Sequence, residues 1–168
     1  RTSTDPEENS FKHEIQTAHY KYDSNHKQLS LEHFNLGEES EGTQKLYGLS
    51  GLIVNLLEDG GVLIFDELDA RLHPLITSAI VRLFNSSETN PKNAQLIFTT
   101  HDTNLLSGNL FRKDQVWFTE KNCYGATDLY SLAEYKIPER ASFEQDYIAG
   151  KYGAVPFIGD LSRFLGKK

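Results

Sequence analysis

The sequence predicts an α/β fold in which parallel strands are joined by crossover helices, with a β-hairpin on the N-terminal side. Two short runs, Val62-Leu63-Ile64-Phe65 and Gln95-Leu96-Ile97-Phe98, are almost wholly apolar and end in polar residues. A strand of a parallel sheet is covered on both faces, so it reads as a continuous apolar run rather than an alternating one. Between the runs a helical pattern opens at Pro74, whose ring suits a first helical turn. It continues with Leu75, Ile76, Ala79, Ile80, Leu83 and Phe84 at helical spacing. Strand, helix and return to a neighbouring strand is the connection that parallel pairing requires, and a right-handed crossover would set the two strand ends side by side.

The remaining elements follow in order. Residues 1–10 are polar and contain a proline, and they read as a mobile end or an artificial boundary; residues 11–168 form the rest of the unit. From 11 to 36, approximate alternation (Ile15, Thr17, His19, Lys21, then Leu29, Leu31 and Phe34) surrounds the turn-forming Asp23-Ser24-Asn25-His26, so a hairpin is expected. A helix then carries Leu46, Leu49, Leu52, Ile53, Leu56 and Leu57 on one face and stops near Gly60-Gly61. The stretch 85–91, rich in Ser, Asn and Thr and closed by Pro91, is a loop. Past His101 a short helix near 103–107 leads to a second hairpin, with strands near 115–120 and 128–132 about a turn at 121–125. Trp117 and Phe118 read as core rather than as a base-stacking platform, because the surrounding charge is not basic. The segment 142–152 reads as a helix.

Composition restricts the function classes. The chain has 168 residues, 38% of them hydrophobic, a length that would bury about 70% of its unfolded surface if it folded alone. With 17 Lys and Arg against 24 Asp and Glu, the formal net charge is −7. Nucleic-acid backbones are held by excess positive charge, so broad nonspecific DNA binding by this segment is not supported. A single cysteine, Cys123, forms no intrachain disulfide and suits a reducing compartment. No apolar run is long enough to cross a bilayer, and a cytoplasmic location is expected. His13, His19, His26 and His33 read as strand-surface residues, since no metal-type spacing with Cys or acids accompanies them.

The chemistry concentrates where the apolar runs end. Ligands of open α/β sheets bind just outside the carboxyl ends of the strands. There the first run meets Asp66 and Glu67, followed by Leu68-Asp69-Ala70, which has the look of a Walker B strand entering a D-loop. Asp66 would stand where a hydrated Mg²⁺ belongs, and Glu67 where a water is oriented and deprotonated. The second run ends in Thr99-Thr100-His101-Asp102, which sets His101 beside the acids. Upstream, Glu39-Ser40-Glu41-Gly42-Thr43-Gln44-Lys45-Leu46 joins a small hydroxyl and a glycine to a helix start, where free N–H groups and the helix dipole favour a phosphate. Ser40 reads equally well as a plain N-cap.

In this order the segments resemble the C-terminal half of an ABC-type ATPase head. Ser40-Glu41-Gly42-Thr43-Gln44 resembles the signature motif, Asp66-Glu67 the Walker B, residues 68–74 the D-loop region and His101 the switch histidine. The strings Ser-Glu-Gly-Thr-Gln-Lys-Leu, Phe-Asp-Glu-Leu-Asp-Ala-Arg-Leu-His-Pro and Thr-Thr-His-Asp, with the ending at 143–156, are similar to the bacterial AAA15/AAA21 group. That group is related to the OLD and SMC families and is often associated with anti-phage defence or restriction. The resemblance covers roughly residues 40–156 and implies the C-terminal lobe of a P-loop NTPase, using ATP and Mg²⁺. It implies Asp66 as the metal-binding residue, Glu67 as catalytic base and His101 as γ-phosphate sensor. Ser40 and Gly42 would meet the γ-phosphate of a nucleotide held by the opposite subunit of a homodimer, with Asp69 tuning that interface.

The departures matter as much. No Gly-x-x-x-x-Gly-Lys-Ser/Thr occurs, and Gly150-Lys151 and Gly166-Lys167 are followed by Tyr152 and Lys168. The phosphate-binding loop is therefore expected in a missing N-terminal ATPase lobe, with this chain the C-terminal part of a longer or split protein and inactive alone. Glu41 also stands where transporter signatures carry glycine, and a carboxylate beside a phosphate repels unless it points away. Two other classes compete. One is a non-catalytic nucleotide-sensing module acting on an effector protein. The other is a nuclease or a helicase-like DNA enzyme, with Asp66 and Glu67 imitating a metal-nuclease centre, although no further acidic and lysine set of the Toprim kind follows.

Overall fold

The computed structural model describes residues 2–4, 11–107, 110–138 and 141–156. Its elements are β1 (Thr2–Thr4), β2 (Phe11–His13), β3 (Gln16–Tyr22), β4 (Gln28–Asn35), α1 (Glu41–Asp59), β5 (Val62–Phe65), α2 (Pro74–Asn85), β6 (Gln95–Phe98), β7 (Trp117–Lys121), β8 (Thr127–Ser131) and α3 (Phe143–Ile148). The strands form four two-stranded sheets, three antiparallel and one parallel, so the fold is mixed α/β. The parallel pair is β5 and β6, in register from Val62 opposite Gln95 to Phe65 opposite Phe98, with α2 in the connection between them.

Both long helices begin and end where local chemistry dictates. Ser40 caps α1 by accepting the Thr43 N–H, and the helix closes on Gly60 at φ 85°, a left-handed conformation that glycine adopts without a Cβ penalty. In α2 Pro74 occupies the first turn and the His73 side chain accepts the Leu75 N–H. The two helices and the inner face of β5/β6 build the first core. Leu49, Ile53 and Leu57 of α1 meet Ile80, Val81 and Phe84 of α2, together with Leu68, Leu72 and Ala94, and Leu63, Phe65, Leu96 and Phe98 pack against them from the strands.

Two expectations change here. The parallel strands are not covered on both faces: Val62, Ile64 and Ile97 are 54%, 75% and 53% exposed. Side chains alternate along a strand, and among the described residues α1 and α2 pack only against the Leu63 and Phe65 side. The buried stripe of α2 is also rotated from the predicted one. It runs through Thr77, Ile80, Val81 and Phe84, while Leu75 is 74% exposed and Leu83 borders solvent. The helix is apolar around most of its circumference, so spacing alone does not pick the inward face.

At the N-terminal side the hairpin is β3 with β4, Tyr20 lying opposite Leu31 and Thr17 opposite Phe34. Leu31 and the Thr17/His19 set therefore lie on opposite faces. Asp23 Oδ1 accepts the N–H groups of Asn25 and Lys27 at 2.8 and 2.9 Å, an Asx-type turn. A further pair, β1 with β2, places Thr2–Thr4 in a strand within the segment read as a mobile end; residues 1 and 5–10 of that segment lie outside the described residues, as does Gly166-Lys167.

The second hairpin, β7 with β8, supports a smaller core of Val116, Phe118, Leu132 and Tyr152. Phe118 is buried, as read, but Trp117 is 56% exposed, since neighbours along a strand face opposite ways. Phe118 stacks on Tyr147 and Tyr152 at centroid distances of 5.3 and 5.9 Å. The predicted C-terminal helix is shorter than 142–152: α3 stops at Ile148, and Gly150 at φ 75° turns the chain back so that Tyr152 enters the core. The Tyr152 carbonyl accepts from the Tyr130 and Tyr135 hydroxyls at 2.8 and 3.0 Å.

Burial, then the neighbouring Asp146 carboxylate, push the Tyr152 hydroxyl from its ordinary 10.0 up to about 12. Burial and Glu120 raise Tyr130 in the same direction. A raised folded-state value means that the neutral form is stabilised by folding. That contribution is complete below pH 10 and is lost as pH rises through about 12. In an alkaline titration followed by near-ultraviolet circular dichroism, Tyr152→Phe should therefore move the loss of aromatic signal to higher pH, and an unmoved midpoint contradicts this linkage.

Candidate functional site

At the carboxyl end of the parallel pair, one threonine splices the two strands. The Thr99 N–H donates to the Phe65 carbonyl and the Thr99 carbonyl accepts the Leu68 N–H, both at 3.1 Å. Its hydroxyl accepts the Glu67 N–H at 2.8 Å and donates to Asp66 Oδ1 at 2.5 Å. The chain leaves β5 with Glu67 at φ 51°, a left-handed conformation that non-glycine residues hold only when their surroundings fix it. Here the Thr99 bonds and the burial of Leu68, 1% exposed, do so.

This turn leaves both Asp66 and Glu67 exposed and brings His101 to them: His101 Nε2 lies 3.7 Å from Glu67 Oε1, with the two side chains 86% and 57% exposed. A polar contact this exposed contributes little to stability, so folding alone gives no reason for the cluster. Beside it a half-open groove of about 980 Å³ follows β6, with Phe98, Thr100, His101, Asp102 and Phe118 among its walls.

The residues before α1 occupy a different place. Ser40 is exposed, and its hydroxyl caps the helix, accepting the Thr43 N–H at 3.1 Å and sharing a 2.8 Å bond with Thr43 Oγ1. Glu41 turns toward Arg71, 3.4 Å from its Nε. Gly42 packs so tightly on the D-loop-like turn that a Cβ there would lie 2.7 Å from the Arg71 carbonyl oxygen. Asp69 lies inside this turn, its Oδ1 buried without a hydrogen-bond partner among the described residues. No hydrogen bond or ion pair joins Ser40 to Asp66, Glu67 or His101 among the described residues.

Three contributors escaped the sequence reading. Thr99 acts through bonds between strands, which residue type alone does not reveal. Lys45 Nζ donates to the carbonyls of Glu67, Leu68 and Ala70 at 3.2, 3.1 and 2.7 Å. Its signal was available: Lys45 precedes Leu49, Ile53 and Leu57 at four-residue steps, so a cation stands on the buried stripe. The third is Glu39, whose Oε1 hydrogen-bonds both Thr17 Oγ1 and His19 Nε2. These bonds hold its carboxyl below the ordinary 4.5 and tie the β3/β4 hairpin to the residue before Ser40.

Among the described residues, no group of three or more His, Cys, Asp and Glu side chains is assembled to hold a metal ion. A cation bound here would take Asp66 together with ligand oxygens and water. That donor set fits Mg²⁺, which keeps several waters and is commonly held by one or two carboxylates plus substrate phosphates.

A family model described as "AAA domain, putative AbiEii toxin, Type IV TA system" matches residues 7–107. The match takes in the β3/β4 hairpin, α1, the parallel pair and His101, more than half of the chain. The class is thus an AAA domain, with an ATPase-like nucleotide-binding function. Within that class, the chain belongs to the AAA family carrying the AbiEii-toxin description. No curated protein matches the chain. Among the described residues, no helix is long and apolar enough to cross a membrane.

Proposed function

We propose that this chain is the C-terminal, signature-bearing lobe of an ABC-like P-loop ATPase that hydrolyses ATP with Mg²⁺ at sites completed across a homodimer. The observation that carries the reading is the convergence of Asp66, Glu67, Thr99 and His101 at the carboxyl ends of two adjacent parallel strands, in a chain of the AAA family. Ligands of α/β sheets bind at such strand ends. The phosphate loop is supplied by another segment, since no such motif occurs in these 168 residues.

Asp66 would hold the cation, with Thr99 fixing which carboxylate oxygen faces outward. Bound Mg²⁺ supplies charge neutralisation on the phosphates. Glu67 accepts the proton of the attacking water, and His101 donates toward the γ-phosphate. Ser40 and Gly42 are offered at the start of α1 to the nucleotide of the opposite subunit, where the helix N-terminus favours an anion. Glu41 points to Arg71, which removes the repulsion its charge would cause, and Asp69 tunes the contact between subunits. The toxin–antitoxin description of the matching family supports a defence or DNA-related process as the one served.

Steady-state ATP hydrolysis by the intact protein, with and without Mg²⁺, tests the reading. Mg²⁺-dependent turnover supports it. Nucleotide binding with no turnover contradicts it and leaves the role of a nucleotide-sensing module.

A further inference from the structure

We propose that Lys45 is a positioning residue that clamps the turn at 67–70 to α1, so that the helix start bearing Ser40 and the carboxylate of Glu67 keep a fixed relation. The inference rests on the ATPase reading of Glu67, but its geometry stands independently. A lysine ammonium has three N–H donors and no acceptor, and Lys45 directs them to three carbonyls of one turn, Glu67, Leu68 and Ala70, at 3.2, 3.1 and 2.7 Å. Charge-assisted bonds of this kind are stronger than neutral ones. Nζ also stands 5.0 Å from the centroid of the Phe65 ring, so the cation meets the end of β5 from the same side.

The turn it holds is one that needs holding. Glu67 and Arg71, which bracket it, have φ values of 51° and 65°, conformations that persist only where the surroundings over-determine them. Two further contacts seal the same seam: Glu41 with Arg71 at 3.4 Å, and Gly42 against the Arg71 carbonyl, where no Cβ fits. Thus α1 grips the turn through positions 41, 42 and 45, on the first turns after Ser40. A displacement of the Ser40 end by a ligand would pull on the carbonyl of Glu67 and re-aim its side chain. The signature-like helix and the general base of one chain then move as one body, which links the nucleotide of the opposite subunit to catalysis at this chain's own site.

The test uses the intact protein carrying Lys45→Met, which keeps the aliphatic stem, and Lys45→Arg, which keeps the charge but replaces three converging donors with a planar fork. In the nucleotide-free protein, amide hydrogen exchange at Leu68 and Ala70 should quicken about tenfold or more in the Met variant and by less in the Arg variant, with exchange in β7 and β8 unchanged. Turnover should fall about tenfold with KM for ATP nearly unchanged, because a misaimed base affects the chemical step rather than binding. Wild-type exchange at 66–72 in the Met variant overturns the clamp. Quickened exchange with unchanged turnover overturns the positioning role. A wild-type protein that hydrolyses no ATP defeats the functional reading instead, and the exchange measurement still decides the clamp.

Discussion

Glu67→Gln in the intact protein is expected to bind MgATP about as tightly as the wild type and to hydrolyse it at least about a hundredfold more slowly, the usual cost of removing a general base. The substitution is nearly isosteric, so the left-handed turn, the Glu67 N–H bond to Thr99 and the Lys45 clamp remain. What is lost is the basic carboxylate, 3.7 Å from His101. Because that side chain is more than half exposed, its neutralisation should leave the denaturation midpoint almost unmoved. Turnover within a few-fold of wild type would remove Glu67 from the role of base.

Leu68→Ala is expected to act in the opposite manner, on stability first. Leu68 is 1% exposed and packs in the core formed by α1 and α2, while its N–H is bonded to Thr99 and its carbonyl to Lys45. Truncating such a leucine costs about 2–5 kcal/mol through lost burial and the cavity left behind. That is a large fraction of the 5–15 kcal/mol that holds an ordinary domain together. Urea denaturation of the intact protein measures it. A loss below about 1 kcal/mol, outside the range for buried leucines, would mean that the acid-bearing turn is not anchored in the core. Turnover should fall as well, since Leu68 directly follows Glu67 in the same turn.

The residues at the two strand ends were legible because their signal is local. Asp66 and Glu67 follow the first apolar run directly and His101 follows the second after two threonines, and a parallel pairing of those runs places all three at one edge. Ser40 was legible as a helix start for the same reason: a cap and a periodic stripe are written in consecutive residues. What sequence could not assign were properties that exist only between segments. Thr99 serves the site through four bonds reaching back to β5 and the turn after it, and Glu39 through bonds to β3. Val62, Ile64 and Ile97 have the composition of covered strand residues, yet covering depends on a facing element, and the described residues supply one on a single side. Trp117 and Phe118 were equally apolar, and only the packing of Tyr147 and Tyr152 on one face of the hairpin decided which turned inward. Lys45 differs from these. A cation on the Leu49, Ile53 and Leu57 stripe was visible in the sequence, although its three carbonyl partners were not.

The claim that the catalytic site is completed across a dimer is tested most directly by mixing two inactive proteins. Ser40→Arg blocks the helix start at α1 but keeps Glu67, whereas Glu67→Gln keeps Ser40. If each site draws Glu67 from one chain and Ser40 from the other, a mixed dimer contains one intact site and one doubly defective site. Random exchange of equal amounts makes half of the dimers mixed, so the mixture should regain about a quarter of wild-type ATP turnover, as two-fold symmetry requires. A mixture that stays as inactive as either parent, while subunit exchange is demonstrated by light scattering of tagged chains, would place Ser40 and Glu67 in service of the same chain's nucleotide and contradict the cross-dimer site.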